Sequence, residues 1–93
     1  MPNNRRERWM KAYTAYQKAS ERVTVLRKAY EEAETLLAGA IKSCGPVPFH
    51  ADPERDAIYQ RTREWLMALV EAMDTRDLLW AALRAVEEKE RNK

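Results

Sequence analysis

Large residues recur every seven positions along the first half of the chain: Trp9, Tyr16, Val23, Tyr30 and Leu37, with Cys44 continuing the series. Three residues after each of the first five comes Ala12, Ala19, Leu26, Ala33 and Ala40. Spacings of three and four gather side chains on one stripe of an α-helix and do not match the two-residue alternation of a strand. Sustained over five heptads, they describe a helix that lays a narrow seam against another helix. No proline interrupts the run, and Gly39 is its one weak helix former. Helix 1 is therefore predicted over about 5–43. At ~1.5 Å per residue it would be roughly 60 Å long.

Local signals mark where this helix begins and ends. Asn4 followed by Glu7 has the spacing of a capping box, in which each side chain satisfies an otherwise orphaned backbone N–H. Gly45 suits the left-handed residue that follows a helix, and Pro46 cannot continue one. Residues 44–52 are read as the connecting loop, stiffened by Pro46 and Pro48, with Phe49 folding back over the helix ends. Asp52 then reads as an N-cap with Pro53 at the first helical position, where its missing N–H costs nothing. Glu54 and Asp56 put negative charge in the first turn, where the helix dipole favours it.

Beyond Pro53 the seven-residue step resumes with Ile58, Trp65, Ala72, Leu79 and Val86, flanked by Thr62, Leu69 and Leu83. A second helix over about 53–90 should run back along the first. One segment departs from the pattern. Arg76 falls on the apolar stripe, and Asp74 with Asp77 could cap a fresh helix, so a kink or break is allowed at 73–77. The fold class is all-α: an antiparallel helical hairpin with coiled-coil-like seams.

Helix 2 is too apolar for such a hairpin alone. Tyr59, Leu66, Met73 and Trp80 form a second seven-spaced row beside the seam, and Val70 adjoins it. Leaving such side chains in water forgoes roughly 1.5–3 kcal/mol each. A thin two-helix layer has little margin over the conformational entropy of ordering the chain. Association solves both problems, and a dimer forming a four-helix bundle is the simplest closed solution. Tyr59, Leu66, Val70, Met73 and Trp80 are the predicted oligomer or partner interface.

Composition supports a single folded domain and little more. The chain has 93 residues, 34% charged and 45% apolar, too apolar for a disordered tail. No stretch approaches the length of apolar sequence that a membrane span needs, so no membrane association is expected. A single cysteine cannot form an internal disulfide, which fits a reducing compartment and a cytoplasmic setting.

The charge distribution offers a second kind of surface. Arg8, Lys11, Lys18 and Arg22 share one helical face away from the Trp9/Tyr16 seam. Such a stripe could follow a phosphate backbone, and Tyr13 is the best placed aromatic residue to stack on a base. Catalytic chemistry finds no comparable support. Cys44, His50 and Asp52 lie close in sequence, but a structural zinc site usually needs four Cys or His ligands. A Cys–His nucleophile pair also needs geometry that a proline-rich loop does not supply unaided. No catalytic residue, metal or cofactor is predicted.

Two families of small helical proteins bear comparison. Secreted helical hairpins of the ESX type share the length and the pairing, but they carry Trp-x-Gly in the turn where this chain has Gly45-Pro46-Val47-Pro48. The run Asp52-Pro53-Glu54-Arg55-Asp56 is similar to the start of the second helix in helical chorismate mutases. That resemblance spans five to ten residues and implies a dimeric enzyme in which Arg55 would bind a substrate carboxylate. The glutamine that family carries near its C-terminus has no match, and the basic residues of helix 1 fall out of step with it.

The residues themselves point first to a small non-catalytic interaction module of the adaptor, assembly-factor or phage-type inhibitor kind. It would bind itself and another protein through its helix faces. Nucleic-acid or nucleotide binding by the basic face is the alternative, and a chorismate-mutase-like enzyme the third reading.

Overall fold

A computed structural model of the chain describes residues 4–43 and 52–91. They form two long α-helices, α1 (Asn4–Ser43) and α2 (Pro53–Arg91), with no strand among the described residues. The chain is an all-α antiparallel helical hairpin, and both helices fall within a residue of the predicted bounds. The expectations for Cys44, Gly45, Pro46, Pro48, Phe49 and His50 lie outside the described residues, as does that for the Asn4 side chain.

The start of α2 shows how a few residues set a helix boundary. Asp52 Oδ1 accepts a hydrogen bond from the Glu54 N–H at 3.0 Å, and the Asp52 carbonyl accepts the first helical bond from the Asp56 N–H at 3.0 Å. Arg55 Nε donates to Asp52 Oδ2, also at 3.0 Å. Asp52 thus satisfies the first N–H left open once Pro53 removes its own, as an N-cap should.

The break allowed at 73–77 does not occur. α2 passes through these residues as uninterrupted α-helix. Arg76 is half-buried on the seam side, and its Nε and Nη2 both reach Asp77 Oδ1 at 3.3 Å. The long aliphatic stem therefore lies along the seam while the charged end reaches an exposed carboxylate. With Asp77 engaged by its neighbour and Asp74 exposed, neither aspartate caps a new helix.

The hairpin comprises two compact units. One joins α1 up to Thr24 with α2 from Glu71 onward. Val23, Ala72 and Leu83 are its buried core, with Trp9, Tyr16, Leu79 and Val86 half-buried around them. Trp9 Nε1 donates to Glu87 Oε1 at 3.3 Å, and the rings of Tyr16 and Trp80 lie 5.1 Å apart. Residue numbers rise on one helix as they fall on the other, which is antiparallel pairing.

The other unit runs from Val25 to Val70. Leu26, Ala33 and Leu69 form its core, joined by Thr62, the one buried polar residue among those described. The Thr62 hydroxyl donates to the Ile58 carbonyl of its own helix at 2.8 Å and lies 3.4 Å from the Ala33 carbonyl across the seam. Alanine at Ala33 lets the backbones approach that closely. Both cores are one layer thick, and among the described residues no large side chain is completely enclosed.

Candidate interaction surface

Each predicted interface residue sits beside the seam, and the single hairpin covers them unequally. In the 25–70 unit, Tyr59 is half-buried, whereas Leu66 is 40% exposed and Val70 48%. In the other unit, Met73 is half-buried and Trp80 is 47% exposed despite its contact with Tyr16. The Arg84 guanidinium lies 6.0 Å from the Trp80 ring centre, within range of a cation–π attraction. A residue beside a two-helix seam touches the opposite helix with one side only, which explains exposures near one half.

Other apolar residues are more exposed, and the heptad reading did not single them out. Leu78 is 72% exposed and Leu36 67%. Each adjoins a seam residue, Leu79 and Leu37, that is half-buried. Consecutive residues point about 100° apart on a helix, so only one of two adjacent leucines can enter a narrow seam. The signal was present in the Leu-Leu pairs once the seam was assigned.

The basic face of α1 belongs to the unit that contains Thr24 and Glu71. Arg8, Lys11, Lys18 and Arg22 are all exposed, and Arg8, Lys11 and Lys18 border an open hollow that Met10 and Glu7 also line. Among the described residues, Lys11, Lys18 and Arg22 have no carboxylate partner. Tyr13 does not join them. At about 100° per residue it lies roughly 140–180° round the helix from these cations. It also stacks on Trp9, with ring centres 5.0 Å apart and planes within 8°. The stacking residue proposed for a base is thus on the far side, with one ring face already covered. Its basic neighbours in sequence concealed this because adjacency in sequence is not adjacency on a helix.

At the start of α2, Arg55 is mostly buried, and its Nη1 has no hydrogen-bond partner. It borders a hollow with Ala40, Ser43, Asp52 and Glu54. A substrate carboxylate approaching Arg55 would meet Asp52 and Glu54 in the same hollow, an unfavourable electrostatic setting. Among the described residues, no group of three His, Cys, Asp or Glu residues is placed to hold a metal ion. No helix among them is long and apolar enough to cross a membrane. Partial burial, the adjacent Glu34 carboxylate and a hydrogen bond to it raise the pKa of the Tyr30 phenol above its ordinary value of 10.0.

No protein-family model, curated protein or solved structure matches this chain.

Proposed function

We propose that this protein is a non-catalytic interaction module of the cytoplasm that acts through the outer row of α2. Its partner presents an apolar helix face to Leu66, Val70 and Trp80, with Tyr59 and Met73 completing the row. One observation carries the reading: these three large side chains keep 40–48% of their surface in water beside an otherwise ordinary seam. Apolar residues gathered beside a seam are what a further helix would cover. The Leu66→Glu/Met73→Glu double variant tests the reading. It should abolish concentration-dependent association and capture of any protein partner while leaving the far-ultraviolet helical signal intact. An unmodified chain that stays monomeric and captures nothing contradicts it.

A second reading has its own observation. Lys11, Lys18 and Arg22 form an exposed cationic face with no carboxylate partner among the described residues, a setting suited to phosphates. Without Tyr13, this binding would be electrostatic and indifferent to base sequence. It should weaken steeply with salt and vanish on reversal of these three charges. Binding that survives both treatments excludes the cationic face as its site.

A further inference from the structure

We propose that the cationic face of α1 binds double-stranded DNA, with Lys11, Thr14, Lys18 and Arg22 seated on the phosphates of one strand along the major groove. This rests on the second reading above and adds the form of the nucleic acid and a hydroxyl contact. All four residues belong to the unit that joins α1 up to Thr24 with α2 from Glu71 onward. At about 100° per residue, Lys11, Lys18 and Arg22 fall within a sector of roughly 40° on the helix. From Lys11 to Arg22 the row rises about 17 Å, too long for one phosphate group and matched to a polyanion.

Thr14 supplies an observation independent of charge. Thr24, Thr35 and Thr62 each donate their hydroxyl proton back to the carbonyl four residues earlier, at 3.1, 3.0 and 2.8 Å. Thr14 makes no such bond, and among the described residues its hydroxyl has no partner. It is exposed and lines the open hollow between Lys11 and Lys18, beside the short Ala15. A free donor between two ammonium groups is a place for a phosphate oxygen.

The aromatic rings of this unit narrow the polyanion to a duplex. Single strands are held by a cationic groove together with aromatic platforms for the bases. Here Trp9 stacks on Tyr13 and Tyr16 packs on Trp80, which leaves these rings on the seam side of α1 and off the cationic face. A duplex turns its phosphates outward and asks for no platform. The major groove of DNA, about 12 Å wide, admits an α-helix, whereas the deep, narrow groove of duplex RNA does not. Two carboxylates stand at the margins. Glu7 lines the hollow before Lys11, and Glu21 lies about 60–100° round the helix from Lys18 and Arg22. Neither pairs with a cation of the row.

The test is fluorescence anisotropy of a short labelled DNA duplex of arbitrary sequence over a salt series, with circular dichroism as the folding control. Three cationic contacts should give a slope of log affinity on log salt of about −2.7. Lys11→Gln, Lys18→Gln and Arg22→Gln should each weaken binding and reduce that slope by about one. Thr14→Val should weaken binding roughly five- to tenfold with the slope unchanged, since a neutral donor releases no counterion. Glu7→Gln should tighten it. Unlabelled single strand, RNA duplex of the same sequence and phosphatidylserine vesicles should each compete less well than unlabelled DNA duplex. A single strand or RNA duplex that competes better overturns the choice of duplex DNA and leaves the phosphate-binding face standing. Vesicles that compete better overturn the proposal and assign the face to a lipid surface. Indifference to Thr14→Val overturns the seat on the phosphates. No binding at low salt, or a slope indifferent to all three cation variants, overturns the proposal and the second reading together.

Discussion

The Tyr16 and Trp80 rings lie 5.1 Å apart, tilted by 49°, yet nearly half of Trp80 faces solvent. Trp80 therefore has two roles that separate experimentally. Its inner side holds α2 to α1 within one chain, and its outer side is offered to a partner.

Trp80→Ala is predicted to destabilise the monomer by about 1–3 kcal/mol, since it removes a half-buried aromatic residue and its ring contact. Val70→Glu should leave monomer stability within about 0.5 kcal/mol, because Val70 lies away from the core and its change is a surface one. Urea unfolding at a concentration low enough to exclude association checks both. Equal effects of the two variants would refute the division.

Thr62 lies in a seam otherwise built from apolar side chains. Its single hydroxyl proton goes to the Ile58 carbonyl at 2.8 Å, an oxygen that the helix ladder already uses. Replacement by valine strands no donor and buries a methyl group. Thr62→Val should raise stability by about 0.5–1 kcal/mol, and Thr62→Ser, which leaves a methyl-sized hole, should lower it by about 1 kcal/mol. Thermal melts of the two variants are the check. A destabilised valine variant would mean that the 3.4 Å approach to the Ala33 carbonyl contributes to the seam.

Gly39 is exposed within α1, and a methyl group added there meets nothing within 4 Å beyond its chain neighbours and the adjoining backbone of its own helix. Only its backbone freedom opposes the helix. Gly39→Ala should stabilise the chain by about 0.5–1 kcal/mol, a rise of roughly 3–6 °C in melting temperature, with association unchanged. A fall in melting temperature would contradict open space at this position.

Tyr30 makes a prediction about alkaline pH. Its phenol is neutral in the fold, held so by burial and by Glu34, so its folded pKa lies above the unfolded one. The stability it contributes is complete below the unfolded pKa and is lost as pH rises through the folded one. Melting temperature should therefore fall less steeply in Tyr30→Phe than in the unmodified chain as pH rises above the ordinary phenol value of 10.0. Parallel slopes would exclude the linkage.

Different parts of this structure were legible in the sequence to different degrees. The Asp52-Pro53-Glu54 start of α2 was readable because a cap uses neighbours only. The seam was readable because its residues repeat at a helical period. Arg76 misled because a cation on an apolar stripe resembles a break. It passes as helix because its stem is apolar and Asp77 is beside it. Tyr13 misled for the opposite reason: its basic neighbours in sequence are not its neighbours round the helix. The exposure of Leu66 and Val70 followed from the width of the apolar arc. What covers them did not, since an uncovered row has the same spacing whichever helix it binds.

Sedimentation equilibrium of the unmodified chain beside the Leu66→Glu/Met73→Glu variant, from micromolar to millimolar concentration, tests the α2 interface most directly. The unmodified chain should approach twice the 10.9 kDa of one copy while the variant stays at that mass with its helices intact. If both stay at the mass of one copy at every concentration, or both associate alike, α2 does not close on a second chain through this row.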